Sequence, residues 1–268
     1  MKNILTICSF VLSVFTGCDD NFLLIDITPP SSPKGLYAVA KDEQVELSWI
    51  ANSENDLSGY NIYAGNFVNG PFQFLKSTKK NHYADPGIQN GKTYYYRISA
   101  YDRDGNESSL THDLVYAIPR PEGYDMVLTN FRSNPNLSGF DFSTYSAGPY
   151  DDKYSDIFYE FTGGAAYMDV WDDSEIQDMG YTQSLDDIGQ SPVTGWSPSR
   201  DVRLIIGHTY VIRTWDTHFA KIRVLSISSA NVIFDWAYQL QTDNTLLKSN
   251  NLAARTDHNM GSGVKGRK

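Results

Sequence analysis

The sequence predicts an all-β protein, a seven-stranded sandwich followed by a second β-rich, sandwich-like domain. Three observations lead there. The chain carries 18 Tyr, 13 Phe and 5 Trp together with 20 Gly and 11 Pro, a mixture suited to half-buried strands joined by tight turns. Apolar residues recur at alternate positions in short runs broken by turn residues, which is the period of a pleated strand. The 268 residues, 41% apolar and 20% charged, suffice for two ordinary domains with a core each and argue against wholesale disorder.

From the N-terminus, Met1-Lys2-Asn3 places one positive charge before the apolar run Ile4 to Phe15, which Thr16-Gly17-Cys18 closes. This is the layout of a secretory signal, and a run of about a dozen residues falls short of the ~20 that a spanning helix needs. Phe15-Thr16-Gly17-Cys18 resembles the bacterial lipobox, with Phe15 in place of the usual aliphatic residue. That resemblance implies removal of residues 1–17, acylation of Cys18 as the lipid attachment site, a lipid bilayer as one partner and a location in the bacterial cell envelope. Cys8 would leave with the signal, so a chain beginning at Cys18 has no second thiol for a disulfide or thiolate metal site. Residues 18–32 then form a tether, and Pro29-Pro30-Ser31-Ser32-Pro33 makes its end stiff and extended.

The first domain is expected over residues 33–119, with strands at 36–40, 45–50, 60–64, 72–75, 82–84, 94–101 and 114–118. Val45, Leu47 and Trp49 share one face of the second run, and Tyr94, Tyr96, Ile98 and Ala100 one face of the sixth. Pro33, Leu47-Ser48-Trp49, Gly59-Tyr60-Asn61-Ile62-Tyr63, the run Ile88 to Tyr94 and Tyr96-Arg97-Ile98-Ser99-Ala100 together resemble a fibronectin type III domain. The resemblance implies that Trp49 is core and that Tyr94 is the tyrosine corner, its hydroxyl meeting the backbone near Ile88. It implies an extracytoplasmic spacer or binding module and no particular chemistry.

Pro119-Arg120-Pro121-Glu122-Gly123 marks the boundary to the second domain, residues 122–247. Strands are expected at 156–161, 165–171, 202–206, 209–215, 219–227 and 232–240. A short helix capped by Asp173 or Ser174 and closed by Gly180 is expected between them. The hairpin 207–224 is similar to a strand pair of HmuY-like haem-binding envelope lipoproteins. With Asp216-Thr217 as its turn, however, His208 and His218 lie too far apart along the ladder to share one iron. Residues 248–268 lack periodicity and are expected to be a disordered tail.

The formal charge of −10 excludes nucleic acid as the main partner. It is concentrated between Asp151 and Asp187, where eleven acids face only Lys153. Oxygen-rich clusters of this kind suit calcium, and Asp169, Asp172 and Asp173 are the candidate ligands, although their spacing matches no EF-hand loop. No other cofactor is indicated. Trp171, Trp196 and Trp215 are the candidate ligand-binding residues, because exposed indoles stack on sugar faces; Trp196 falls in a turn. Phosphate loops, nucleophile elbows, zinc signatures and cysteine nucleophiles are absent from the sequence. The reading is therefore a membrane-anchored envelope lipoprotein, non-catalytic, that presents a binding module to an envelope protein or glycan. The alternatives are a glycan-acting hydrolase or accessory carbohydrate-binding module, and a haem- or calcium-binding envelope protein.

Overall fold

A computed structural model describes residues 26–248 and 250–252. The proposed signal segment and Cys18 lie outside them. The described chain is built almost wholly of strands, with two single-turn 3-10 segments, Pro135–Leu137 and Leu185–Asp187. No helix among the described residues is long and apolar enough to cross a membrane.

In the first lobe β1 (Lys34–Lys41), β2 (Gln44–Ile50) and β5 (His82–Pro86) form one sheet in the order β1-β2-β5. Against it packs β7-β6-β3-β4, made of β3 (Leu57–Gly65), β4 (Gln73–Thr78), β6 (Tyr94–Asp102) and β7 (Leu114–Ala117). All seven expected strands are present. Alternation places Leu36, Ala38, Val45, Leu47, Trp49, Ile62, Tyr96 and Ile98 between the sheets, and Trp49 meets Tyr60 edge to face at 5.1 Å. The Tyr94 hydroxyl accepts the Gln89 N–H at 3.0 Å, so the tyrosine corner forms where the resemblance placed it. Strand order and corner together are those that the fibronectin type III resemblance implies.

The second lobe is also a sandwich, of two five-stranded sheets. One runs β10-β9-β11-β12-β14, from β9 (Gly139–Asp141), β10 (Ser146–Gly148), β11 (Ile157–Thr162), β12 (Ala165–Val170) and β14 (Asp201–Arg203). The other runs β13-β15-β16-β17-β8, from β8 (Glu122–Thr129), β13 (Glu175–Tyr181), β15 (His208–Arg213), β16 (Phe219–Ile227) and β17 (Asn231–Gln239). Their shared core is aromatic: Phe140 on β9 and Phe142 just beyond it meet Phe234, Trp236 and Tyr238 on alternate positions of β17.

The helix expected after Ser174 is absent; Glu175–Tyr181 is strand β13 instead. The run is short, Ile176 is its one fully buried side chain, and pairing with β15 supplies the backbone partners that a helix would otherwise provide. Gly180, at φ +82°, sits where the register shifts between Asp178 and Tyr181, so it makes a bulge rather than a helix stop. Strands β8, β9 and β10 were not expected. The last two are three residues long, and β8 is broken by Asp125 at φ +54°, which hides the alternation of Met126 and Leu128. Of the tail expected to be disordered, Asn250–Leu252 pair with β7 as β18 and extend the first lobe's sheet; the rest lies outside the described residues.

Buried charge ties the two lobes together. Asp186 accepts Arg120 at 2.9 Å and Lys41 of the first lobe at 3.4 Å, and Lys221 lies 3.9 Å away. Lys221 is fully buried and donates to the carbonyls of Leu185, Ile188 and Leu247 at 2.5, 3.0 and 2.8 Å. Burial pulls its pKa down, yet three acceptors are met only by the three N–H groups of the ammonium form. Gln241 Nε2 reaches back to the Gly91 carbonyl at 2.7 Å.

Candidate functional site

Two of the three candidate tryptophans converge on one cleft. Along β12, Ala166, Met168 and Val170 face the core, so the chain emerges at Trp171 with its indole 40% exposed. Tyr150, stacked at 6.4 Å, and Phe158, at 5.2 Å, hold that indole in place. Trp215 comes from the β15–β16 connection. Arg213 pairs with Phe219, and the Thr214 N–H meets the His218 carbonyl, so the turn is Trp215-Asp216-Thr217 with Thr217 at φ +66°. It is one residue longer than the expected Asp216-Thr217 turn, which moves Trp215 from a strand end to a turn tip, 51% exposed.

The third wall is the loop before β11. The Asp152 carboxylate accepts the Tyr154 N–H at 2.9 Å, an Asx turn, and the Ser155 hydroxyl donates to the Pro149 carbonyl at 2.8 Å. This leaves Tyr154 exposed, with the Lys153 ammonium 4.4 Å from its ring centre. The resulting cleft has a volume of about 420 Å³ and is lined chiefly by Asp151, Asp152, Tyr154, Trp171, Asp173 and Trp215, within the size range of small-ligand sites. It lies at the end of the sandwich where Phe219 pairs with Gln239 and Ala237 with Glu122, the end at which the chain enters from the first lobe.

Trp196 does not join them. It is half-buried and packs on Val211, Phe219 and Leu247, because its turn folds onto the outer face of the β15–β16 sheet. The expected calcium ligands also fail to converge. Asp169 stands on the outer face of β12, opposite Phe158, while Asp172 and Asp173 lie beyond the strand end. Among the described residues the carboxylate trio whose oxygens lie within 4.8 Å of one another is Asp26, Asp56 and Asp102, far apart in sequence, one in the tether and two in the first lobe. Asp102 there already accepts the N–H groups of Asp104 and Asn106. The haem pair is likewise separated: His208 bonds Asp178 at 3.0 Å at the start of β15, and His218 lies 3.1 Å from Asp216 beyond its end.

The eleven acids from 151 to 187 have different fates. Most are held by the protein's own donors, as Asp187 is by the Gln183 N–H and Glu160 by Arg132. Asp156, 4% exposed, follows the cleft-lining Ser155 and accepts the Phe142 N–H at 2.9 Å. Burial pushes it up to about 7 against that hydrogen bond, and the neighbouring Asp141, Asp216 and Asp173 add to the rise. Asp169 is also pushed up to about 7, first by burial and then by Glu160 and Asp201. Asp151 and Asp173 accept no hydrogen bond and form no ion pair among the described residues. Sequence reasoning missed Tyr154 and Asp151 as cleft residues; the available signal was the dense turn run Pro149-Tyr150-Asp151-Asp152-Lys153-Tyr154-Ser155 beside the acidic segment.

No family model matches the chain. Among curated proteins, amylopullulanases from Thermoanaerobacterium thermosulfurigenes and Thermoanaerobacterium saccharolyticum are each 30% identical over 134 residues, half of this chain but 7% and 10% of their own length. An alpha-amylase from Niallia circulans is 34% identical over 88 residues, 32% of this chain and 6% of that enzyme. The chain thus matches no more than a tenth of these relatives. Among solved structures, an Fn3-like protein from Clostridium thermocellum is 26% identical with a TM-score of 0.31, covering 36% of this chain and all of that one.

Proposed function

We propose that this chain is a non-catalytic, envelope-anchored module whose second lobe binds a glycan. The observation that carries the reading is the convergence of Trp171, Trp215 and Tyr154 on one cleft. Exposed rigid aromatic walls are costly in water and supply stacking area with little loss of side-chain freedom. The local similarity to segments of an alpha-amylase and two amylopullulanases supports it, since those are enzymes named for polysaccharide substrates.

A binding role fits better than hydrolysis. A glycosidase needs a carboxylic acid kept protonated beside the scissile bond. In this lobe the carboxyl nearest the cleft with that property, Asp156, is buried and committed to the Phe142 N–H, while Asp151, Asp152 and Asp173 stand exposed. The first lobe suits a spacer. The Asp26 carbonyl accepts Asn106 at the end of β6, whereas the second lobe joins near Lys41 and Gly91 at the opposite end, ~30 Å away at about 3.3 Å per residue. Acylation at Cys18 and the tether to residue 32 would anchor the chain at the Asp26 end.

The test is a titration of the full chain with maltoheptaose, read by tryptophan fluorescence. A saturable change is expected, lost in Trp171→Ala and Trp215→Ala and kept in Trp196→Ala, with no reducing ends released. Release of reducing ends would favour the hydrolase, and an unchanged spectrum together with capture of an envelope protein would favour a protein partner. Membrane-fraction labelling with a radioactive fatty acid, absent in Cys18→Ala, tests the anchor.

A further inference from the structure

The charge of the cleft narrows its ligand. Its walls carry two indoles, one phenol and the carboxylates of Asp151, Asp152 and Asp173 against a single ammonium, Lys153, which is already placed over the Tyr154 ring. Asp152 is held by its own loop, which leaves Asp151 and Asp173 as cleft-lining acceptors with no donor among the described residues. A carboxylate in that position takes hydroxyl donors through charge-assisted bonds, and the same charge repels carboxylate or sulfate groups on a ligand. We infer that, granted the glycan-binding reading on which this rests, the cleft selects uncharged glycan chains and rejects acidic ones, with Asp151 and Asp173 accepting sugar hydroxyls.

The experiment compares maltoheptaose with a polygalacturonate oligomer of similar length, by calorimetry on the full chain at 50 mM and 500 mM salt. The acidic oligomer should bind at least tenfold more weakly at low salt, with the gap narrowing as salt screens the cleft. The double variant Asp151→Asn/Asp173→Asn should weaken maltoheptaose and reduce the discrimination; both positions are exposed, so an unchanged melting temperature confirms that the fold is intact. Equal or tighter binding of the acidic oligomer overturns the selectivity and leaves the glycan reading standing. Unchanged affinities in the double variant remove the two aspartates from the role. Failure of both oligomers to bind removes the reading and the inference together.

Discussion

Replacing Asp186 by asparagine should destabilise the protein by about 3 kcal/mol. The carboxylate lies 2.9 Å from Arg120, 3.4 Å from Lys41 and 3.9 Å from Lys221, and the Arg120 and Lys221 side chains are 2% and 0% exposed. At an effective dielectric near 20 the Arg120 contact alone is worth about 6 kcal/mol before desolvation is subtracted. Removing one partner of a buried pair costs about 3–5 kcal/mol net, mostly because the other charge stays buried. Asp186 keeps 23% of its side-chain exposure, which favours the lower end. For a chain of this size that is a fall of about 6–12 °C in Tm. Burial pushes the Asp186 carboxyl up, but Arg120, Lys221 and Lys41 together hold it below its ordinary 3.8. A depressed folded-state pKa means that the stabilisation is complete above the unfolded value and disappears as pH falls through the folded one. Urea unfolding of wild type and Asp186→Asn at pH 7 and pH 3 is the assay, with Asp172→Asn, which breaks no hydrogen bond or ion pair among the described residues, as the control. A difference under 1 kcal/mol at pH 7, or an equal difference at pH 3, would refute the reasoning.

Asp156 should behave in the opposite sense. Its folded-state pKa of about 7 lies above the ordinary 3.8, so its contribution is full below the unfolded value and is lost as pH rises through 7. Asparagine keeps an oxygen for the Phe142 N–H, and Asp156→Asn should exceed wild type by ~2–4 kcal/mol at pH 8 and match it near pH 4, at about 1.4 kcal/mol per pH unit; equal stability at pH 8 would contradict this. Trp196→Ala should cost about 2 kcal/mol in chemical unfolding through lost packing on Val211, Phe219 and Leu247 while sparing the cleft, and a glycan-binding defect without a stability change would reverse that assignment.

Legibility in the sequence followed local periodicity. Strands β1 and β2 and the first part of β17 alternate cleanly between buried and more exposed positions, so composition and spacing suffice to find them. Strand β13 was misread because one buried side chain in seven positions fits either period, and only the neighbouring β15 decides between them. Strand β8 was missed because Asp125 interrupts its alternation. The acidic segment was plain in the sequence, but its division into bonded carboxylates and the unengaged Asp151, Asp169, Asp172 and Asp173 was not. That division depends on which backbone N–H groups and cations other strands bring within reach.

The chain's own residues determined an all-β molecule with a seven-stranded first lobe, an aromatic second lobe and an excess of carboxylates after residue 150, because each of these is a property of adjacent residues or of counting. Tertiary structure alone decided that Trp171 and Trp215, far apart along the chain, share a cleft while Trp196 does not, and that Asp169, Asp172 and Asp173 do not meet. The reason is geometric: exposure and convergence are set by strand register and turn length, and the one extra residue in the Trp215-Asp216-Thr217 turn was enough to turn an indole from a strand end out to solvent.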